Sequence, residues 1–91
     1  MPVRFINDRY ALSPSPRSGG MADVYRARDY DREERLVAVK EFKHGQIEAD
    51  ILAESFRRET QALQELKHSG IVELLDSGKD EATGNYFATC S

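Results

Sequence analysis

Leu36-Val37-Ala38-Val39-Lys40-Glu41-Phe42 is the stretch on which the fold turns. It is β-branched and nearly continuously apolar, the composition of a strand that is covered on both faces. The natural cover is the segment from Asp50 to Lys67, where Leu52, Phe56, Leu63 and Leu66 fall near helical spacing. Glu54, Arg57, Arg58, Gln61 and Glu65 take the opposite side. This pattern predicts an amphipathic helix of about five turns. Asp50 is the expected N-cap with Glu54 close behind, and His68-Ser69-Gly70 offers a basic last turn and a left-handed stop.

Outward from this pair, Ala22-Asp23-Val24-Tyr25-Arg26-Ala27-Arg28 alternates polar and apolar as a half-buried strand does. The preceding Ser13 to Gly20 stretch is dense in turn formers and reads as a loop, with Arg9-Tyr10-Ala11-Leu12 as a short strand before it. Pro14 and Pro16 lack backbone donors and confine any continuation of that strand to a sheet edge. Asp29 to Glu34 reads as a charged turn. On the far side of the helix, Ile71 to Leu75 predicts a fourth strand, Asp76 to Asn85 a polar turn with two glycines, and Tyr86 to Thr89 a fifth strand. The expected class is α+β, a five-stranded antiparallel sheet with one long helix packed on it. Residues 1–8 are a lead-in and residues 9–91 one small unit.

With 91 residues the chain is one domain at most. Thirteen basic and 16 acidic residues give a net charge of −3, with signs mixed along the chain, so nothing points to nucleic acid or to a membrane surface. No apolar run approaches the roughly 18 residues that cross a bilayer. A single cysteine, Cys90, forms no internal disulfide, and no export leader precedes Arg4, so the expected compartment is cytoplasmic. His44 and His68 have no partners at metal-ligand spacing, and Cys90 has no paired base, so none is a candidate ligand or nucleophile.

Three features in fixed order carry chemistry. They are a glycine pair between two strands, a lysine ending a buried strand, and a glutamate on the apolar face of the next helix. Alone, each has a plain structural reading as a turn, a solvated strand end or the edge of a helix stripe. Together they describe a phosphate site, which needs backbone that can approach closely and a cation held in place. Gly19 and Gly20 permit the approach, and Lys40 supplies the cation. Glu59, three residues after Phe56 and four before Leu63, lies on the helix face that meets the sheet, where a charge is costly without a partner. The expectation is a buried Lys40–Glu59 pair.

The blocks that carry these features resemble the protein kinase family, in particular the bacterial serine/threonine kinases of eukaryotic-like fold. They are Arg9-Tyr10, Ser18-Gly19-Gly20-Met21-Ala22-Asp23-Val24-Tyr25, Val37-Ala38-Val39-Lys40, Phe56-Arg57-Arg58-Glu59 and His68-Ser69-Gly70-Ile71-Val72. The resemblance runs from about Arg9 to Phe87 and implies a kinase small lobe, truncated near its hinge.

It implies that Ser18, Gly19, Gly20, Met21 and Ala22 cover the ATP phosphates, and that Val24 and Ala38 form an apolar ceiling over adenine. Lys40 would hold the α- and β-phosphates while pairing with Glu59, and Leu63 and Leu74 would sit behind the pocket. One departure stands out. Arg17 occupies the place of the first loop glycine, where it either swings to solvent or adds charge to the phosphates. No His-Arg-Asp, Asp-Phe-Gly or Ala-Pro-Glu occurs, so the Mg2+ ligands and the acceptor-positioning aspartate of the large lobe have no match in this chain. The chain alone is expected to be inactive, its protein substrate unidentified. The alternative is a non-catalytic kinase-like module that docks a partner.

Overall fold

The computed structural model describes residues 3–19, 22–43, 48–68 and 73–91. Within them lie β1 (Phe5–Ile6), β2 (Tyr10–Leu12), β3 (Arg17–Ser18), β4 (Ala22–Asp29), a 3-10 turn at Tyr30–Arg32, β5 (Arg35–Phe42), α1 (Ala49–His68), β6 (Leu74–Lys79) and β7 (Tyr86–Cys90). One curled antiparallel sheet runs β1-β2-β4-β5-β7-β6, with β3 paired to β4 alone. The α+β class and the central strands match the sequence reading. The number of strands does not: seven are present among the described residues where five were expected.

The two additional strands are short. Asn7 and Asp8 both adopt positive φ, so the chain turns tightly and lays Phe5–Ile6 against Tyr10–Ala11, closed by Arg9 N–H donating to the Ile6 carbonyl at 3.0 Å. The segment read as a lead-in thus enters the sheet. Strand β3 directly follows Pro16 in the proline-rich loop and pairs with β4 alone.

The fourth strand also lies later than expected. Ile71 and Val72 fall outside the described residues, as do Ser69 and Gly70 of the predicted helix stop. Asp76 to Lys79, read as turn, pairs with β7 past an irregularity between Leu74 and Asp76. Gly78 is the cross-strand partner of Phe87, and a Cβ there would stand 3.6 Å from the Phe87 ring, an ordinary contact distance.

Side chains of β5 alternate between two cores. Val37 and Val39 face inward to Ile6, Tyr10, Leu12, Ala27 and Phe87, a cluster enclosed by the curl of the sheet itself. Phe42 points the other way and meets α1 through Leu52 and Phe56. The helix therefore covers only one end of one face, and Leu36, expected in the core, is 64% exposed.

Helix α1 begins one residue before the expected cap, with Leu52 N–H donating to the Glu48 carbonyl at 3.0 Å. Asp50 lies in the first turn, where its charge still complements the helix dipole. Glu54 pairs with Arg57 and Arg58 along the exposed face instead of reaching back to the cap. Of the predicted apolar stripe, Leu52 is fully buried and Phe56 and Leu63 are half-buried, while the side chain of Leu66 lies outside the described residues.

Two buried aspartates fix an acid limit. Asp29 accepts from Arg9 Nε and Nη2 at 2.8 and 2.9 Å and from the Asp31 N–H at 3.1 Å. Asp23 pairs with Lys43 at 2.7 Å. Hydrogen bonds from these cations hold both carboxyls below their ordinary value of 3.8, against the opposing pull of burial. A depressed folded-state pKa means the unfolded chain binds protons first. The stabilisation is present above pH about 4 and is lost as pH falls through the lower folded-state values. Urea melts between pH 7 and 2 are expected to show this decline, with a shallower one in Asp29→Asn. Equal slopes in the two proteins would refute the assignment.

Candidate functional site

The geometry of the site follows from sheet register. Val24 of β4 and Ala88 of β7 are the cross-strand partners of Lys40, so all three project to the face that carries Phe42. Phe42 meets Phe56 edge-on at a centroid distance of 5.4 Å, and Phe56 stacks on Tyr86 at 4.7 Å. These contacts set the rotation of α1. Glu59, nearly one turn beyond Phe56, is thereby turned to the sheet, and Lys40 Nζ donates to Glu59 Oε1.

The predicted pair is present, yet its burial is not as expected: about a third of each side chain is exposed, 33% for Lys40 and 35% for Glu59. The physical reason is that α1 covers the sheet only near Phe42, so the pair stands at the wall of an open cleft. An ion pair so exposed adds at most about 1 kcal/mol to stability. Its effect is positional, holding one ammonium at a fixed place.

The cleft has a volume of about 300 Å3. Ala22, Val24, Lys40 and Phe42 form its floor, Glu59 one wall, and Arg17, Ser18 and Gly19 the opposite rim. At that rim Gly19 N–H donates to the Ala22 carbonyl at 2.9 Å. A Cβ at Gly19 would stand 3.3 Å from that same oxygen, a close approach that the carbonyl would have to relieve by a small shift.

Of the residues predicted to cover a ligand, Ser18, Gly19, Ala22, Val24 and Lys40 come together here. Gly20 and Met21 lie outside the described residues. Ala38 is on the same face two residues from Lys40 but does not line the cleft, and its cross-strand neighbour is Cys90. The Cys90 thiol is pushed up by burial and by the nearby Glu59 charge, with Lys40 opposing, which makes it a poor nucleophile at neutral pH. Leu63 and Leu74 are half-buried where α1 lies against β6 and β7. His44 lies outside the described residues.

Two participants were not assigned from the sequence. Phe42 lines the cleft, a role that its strand position alone could have signalled through alternation with Lys40. Arg17 was singled out as anomalous, but its facing depends on the register of β3.

Comparison with known proteins decides the kinship. Over 79 residues, 87% of its length, the chain is 39% identical to the probable serine/threonine-protein kinase PknB of Lactococcus lactis. It is 37% identical over 78 residues to the serine/threonine-protein kinase PknB of Mycobacterium leprae, and 36% identical over 78 residues to PrkC of Bacillus subtilis, also a serine/threonine-protein kinase. The chain is homologous to the bacterial serine/threonine protein kinases. It spans 13%, 12% and 12% of those three kinases respectively, so the homology concerns a short segment of each. No family model matches the chain. Among the described residues, no helix is long and apolar enough to cross a membrane.

Proposed function

We propose that this chain is the small, ATP-binding lobe of a serine/threonine protein kinase, the part that holds the nucleotide whose γ-phosphate passes to a protein hydroxyl. The Lys40–Glu59 pair, standing in a cleft under the Ser18-Gly19 rim, carries this reading. The residues present suit such a ligand. Lys40 offers a cation for phosphate oxygens, and Val24, 39% exposed, offers an apolar surface for a flat ring. ATP bound there would supply the transferable phosphoryl group, and Lys40, oriented by Glu59, would hold its α- and β-phosphates. On the same reading, the Mg2+ that accompanies ATP would be held by residues of the large lobe. Cytoplasmic location remains part of the same reading.

The alternative is a docking module without catalysis, which the exposed Val3, Tyr30 and Leu36 favour. A calorimetric titration of the 91-residue chain with ATP, wild type against Lys40→Ala, separates the two. Charge-assisted hydrogen bonds to phosphate contribute about 1.5–3 kcal/mol, so the variant is expected to bind at least about 10-fold more weakly. Docking alone predicts no ATP response in either protein. Equal affinity in both would remove Lys40 from the site.

A further inference from the structure

Strand β3 pairs only with β4, and its register sets Arg17 opposite Val24, which in turn stands opposite Lys40. Cross-strand partners project to the same side of a sheet. Arg17, Val24 and Lys40 therefore form a row across three strands on the cleft face, the outer two about 10 Å apart at Cα given the spacing of neighbouring strands. Both cations line the cleft with an apolar side chain between them.

Their charges are not equivalent. Lys40 is matched by Glu59, whereas Arg17 has no acidic partner among the described residues. The excess positive charge of the cleft lining is thus that of Arg17. The Gly19 amide on the rim is already engaged by the Ala22 carbonyl. A phosphate approaching this rim meets a guanidinium in place of that amide.

We propose that Arg17 is a phosphate-binding residue of the cleft, its guanidinium forking onto the oxygens of a nucleoside polyphosphate from the rim opposite Lys40. The proposal rests on the nucleotide-site reading and extends it. It makes the rim read the number of phosphates, because a planar fork binds phosphate in two-point fashion and contributes nothing to a bare nucleoside.

The test is titration of the 91-residue chain with ATP, ADP, AMP and adenosine, in wild type, Arg17→Ala, Arg17→Lys and Lys40→Ala. Arg17 is exposed, so its variants are expected to keep the wild-type circular dichroism spectrum and melting temperature. Arg17→Ala is expected to weaken ATP about 10-fold, ADP less, and adenosine not at all, with Arg17→Lys recovering part of the loss. If Arg17→Ala binds ATP as well as or better than wild type while Lys40→Ala fails, Arg17 has no such role and the nucleotide site stands. Loss of adenosine and ATP affinity to the same extent would mark a structural role and also overturn it. Absence of any wild-type response to ATP removes both readings.

Discussion

Replacing Phe42 with alanine is expected to destabilise the protein by about 3–5 kcal/mol, the range for truncating a buried aromatic ring. Phe42 is 1% exposed and belongs to the cluster with Ala22 and Leu52 on which the helix rests. Its edge-on contact with Phe56, and the stacking of Phe56 on Tyr86, join α1 to β5 and β7. The site depends on the same joint, since the rotation that turns Glu59 to Lys40 is set by Phe56 seated on Phe42. Two measurements follow from this coupling. Chemical denaturation should show the loss of a large fraction of the stability of a small domain, which is about 5–15 kcal/mol. Hydrogen exchange of α1 amides should accelerate more than that of β4 or β5 amides, because Leu52 and Phe56 seat the helix on Phe42. Phe42→Leu, which keeps most of the volume, should retain the helix protection. A loss below about 1 kcal/mol for Phe42→Ala would mean that the helix is held by something else.

Arg4→Met is the second large effect, expected at about 3 kcal/mol. Arg4 reaches from the N-terminal hairpin to two carboxylates that are almost fully buried, Glu41 and Asp80. Its Nη1 donates to Glu41 Oε1 at 2.8 Å, and its Nη2 donates to Glu41 Oε2 and, at 3.1 Å, to Asp80 Oδ2. Asn85 and Thr83 complete the shell around these oxygens at 3.3 and 2.9 Å. Methionine keeps much of the apolar stem but leaves two adjacent carboxylates out of water without their cation, and an uncompensated buried charge is among the costliest single changes. The Arg4 side chain is itself 39% exposed, which sets the expectation at the lower end of the range for buried pairs. Asn7 fastens the same hairpin by donating to the Lys79 carbonyl and accepting from the Glu81 N–H, both at 2.8 Å. Removing residues 1–8 should therefore exceed the point change. A double variant, Arg4→Met with Glu41→Leu, is expected to recover at least about 1 kcal/mol, since an apolar residue replaces one stranded charge. Arg4→Met within about 0.5 kcal/mol of wild type would show that the cluster is solvated in solution.

Both effects bear on how the site is built. Glu41 lies between Lys40 and Phe42 but points to the opposite face, so the N-terminal hairpin braces β5 from behind while the helix seats on its front. Lys40 is held from two sides by groups distant in sequence.

Much of this was legible in the chain. The period-two run through Val39 and the period-3.6 stripe through Leu52 and Phe56 depend only on neighbours a few residues away, and local pattern specifies local structure. Lys40 and Glu59 were readable for the same reason: once a strand and a helix face each other by their apolar sides, a charge within each apolar side has few places to go. The fold class, the helix and the two members of the central pair come from that logic.

Register and reach were not legible. The Arg4–Glu41 contact spans 37 positions, and an arginine ahead of a short hairpin carries no sign of which carboxylate it will meet. The Asp76 to Lys79 stretch looks like turn until β7 lies beside it, because pairing with a neighbour overrides weak strand propensity. Whether Arg17 faces solvent or the cleft depends on one step of register, since a slip of one residue reverses every side chain on a strand. Sequence determined which residues could act together through nearest-neighbour periodicity. Only the tertiary structure decided which face each presents and how open the cleft is, because those follow from contacts between segments far apart in the chain.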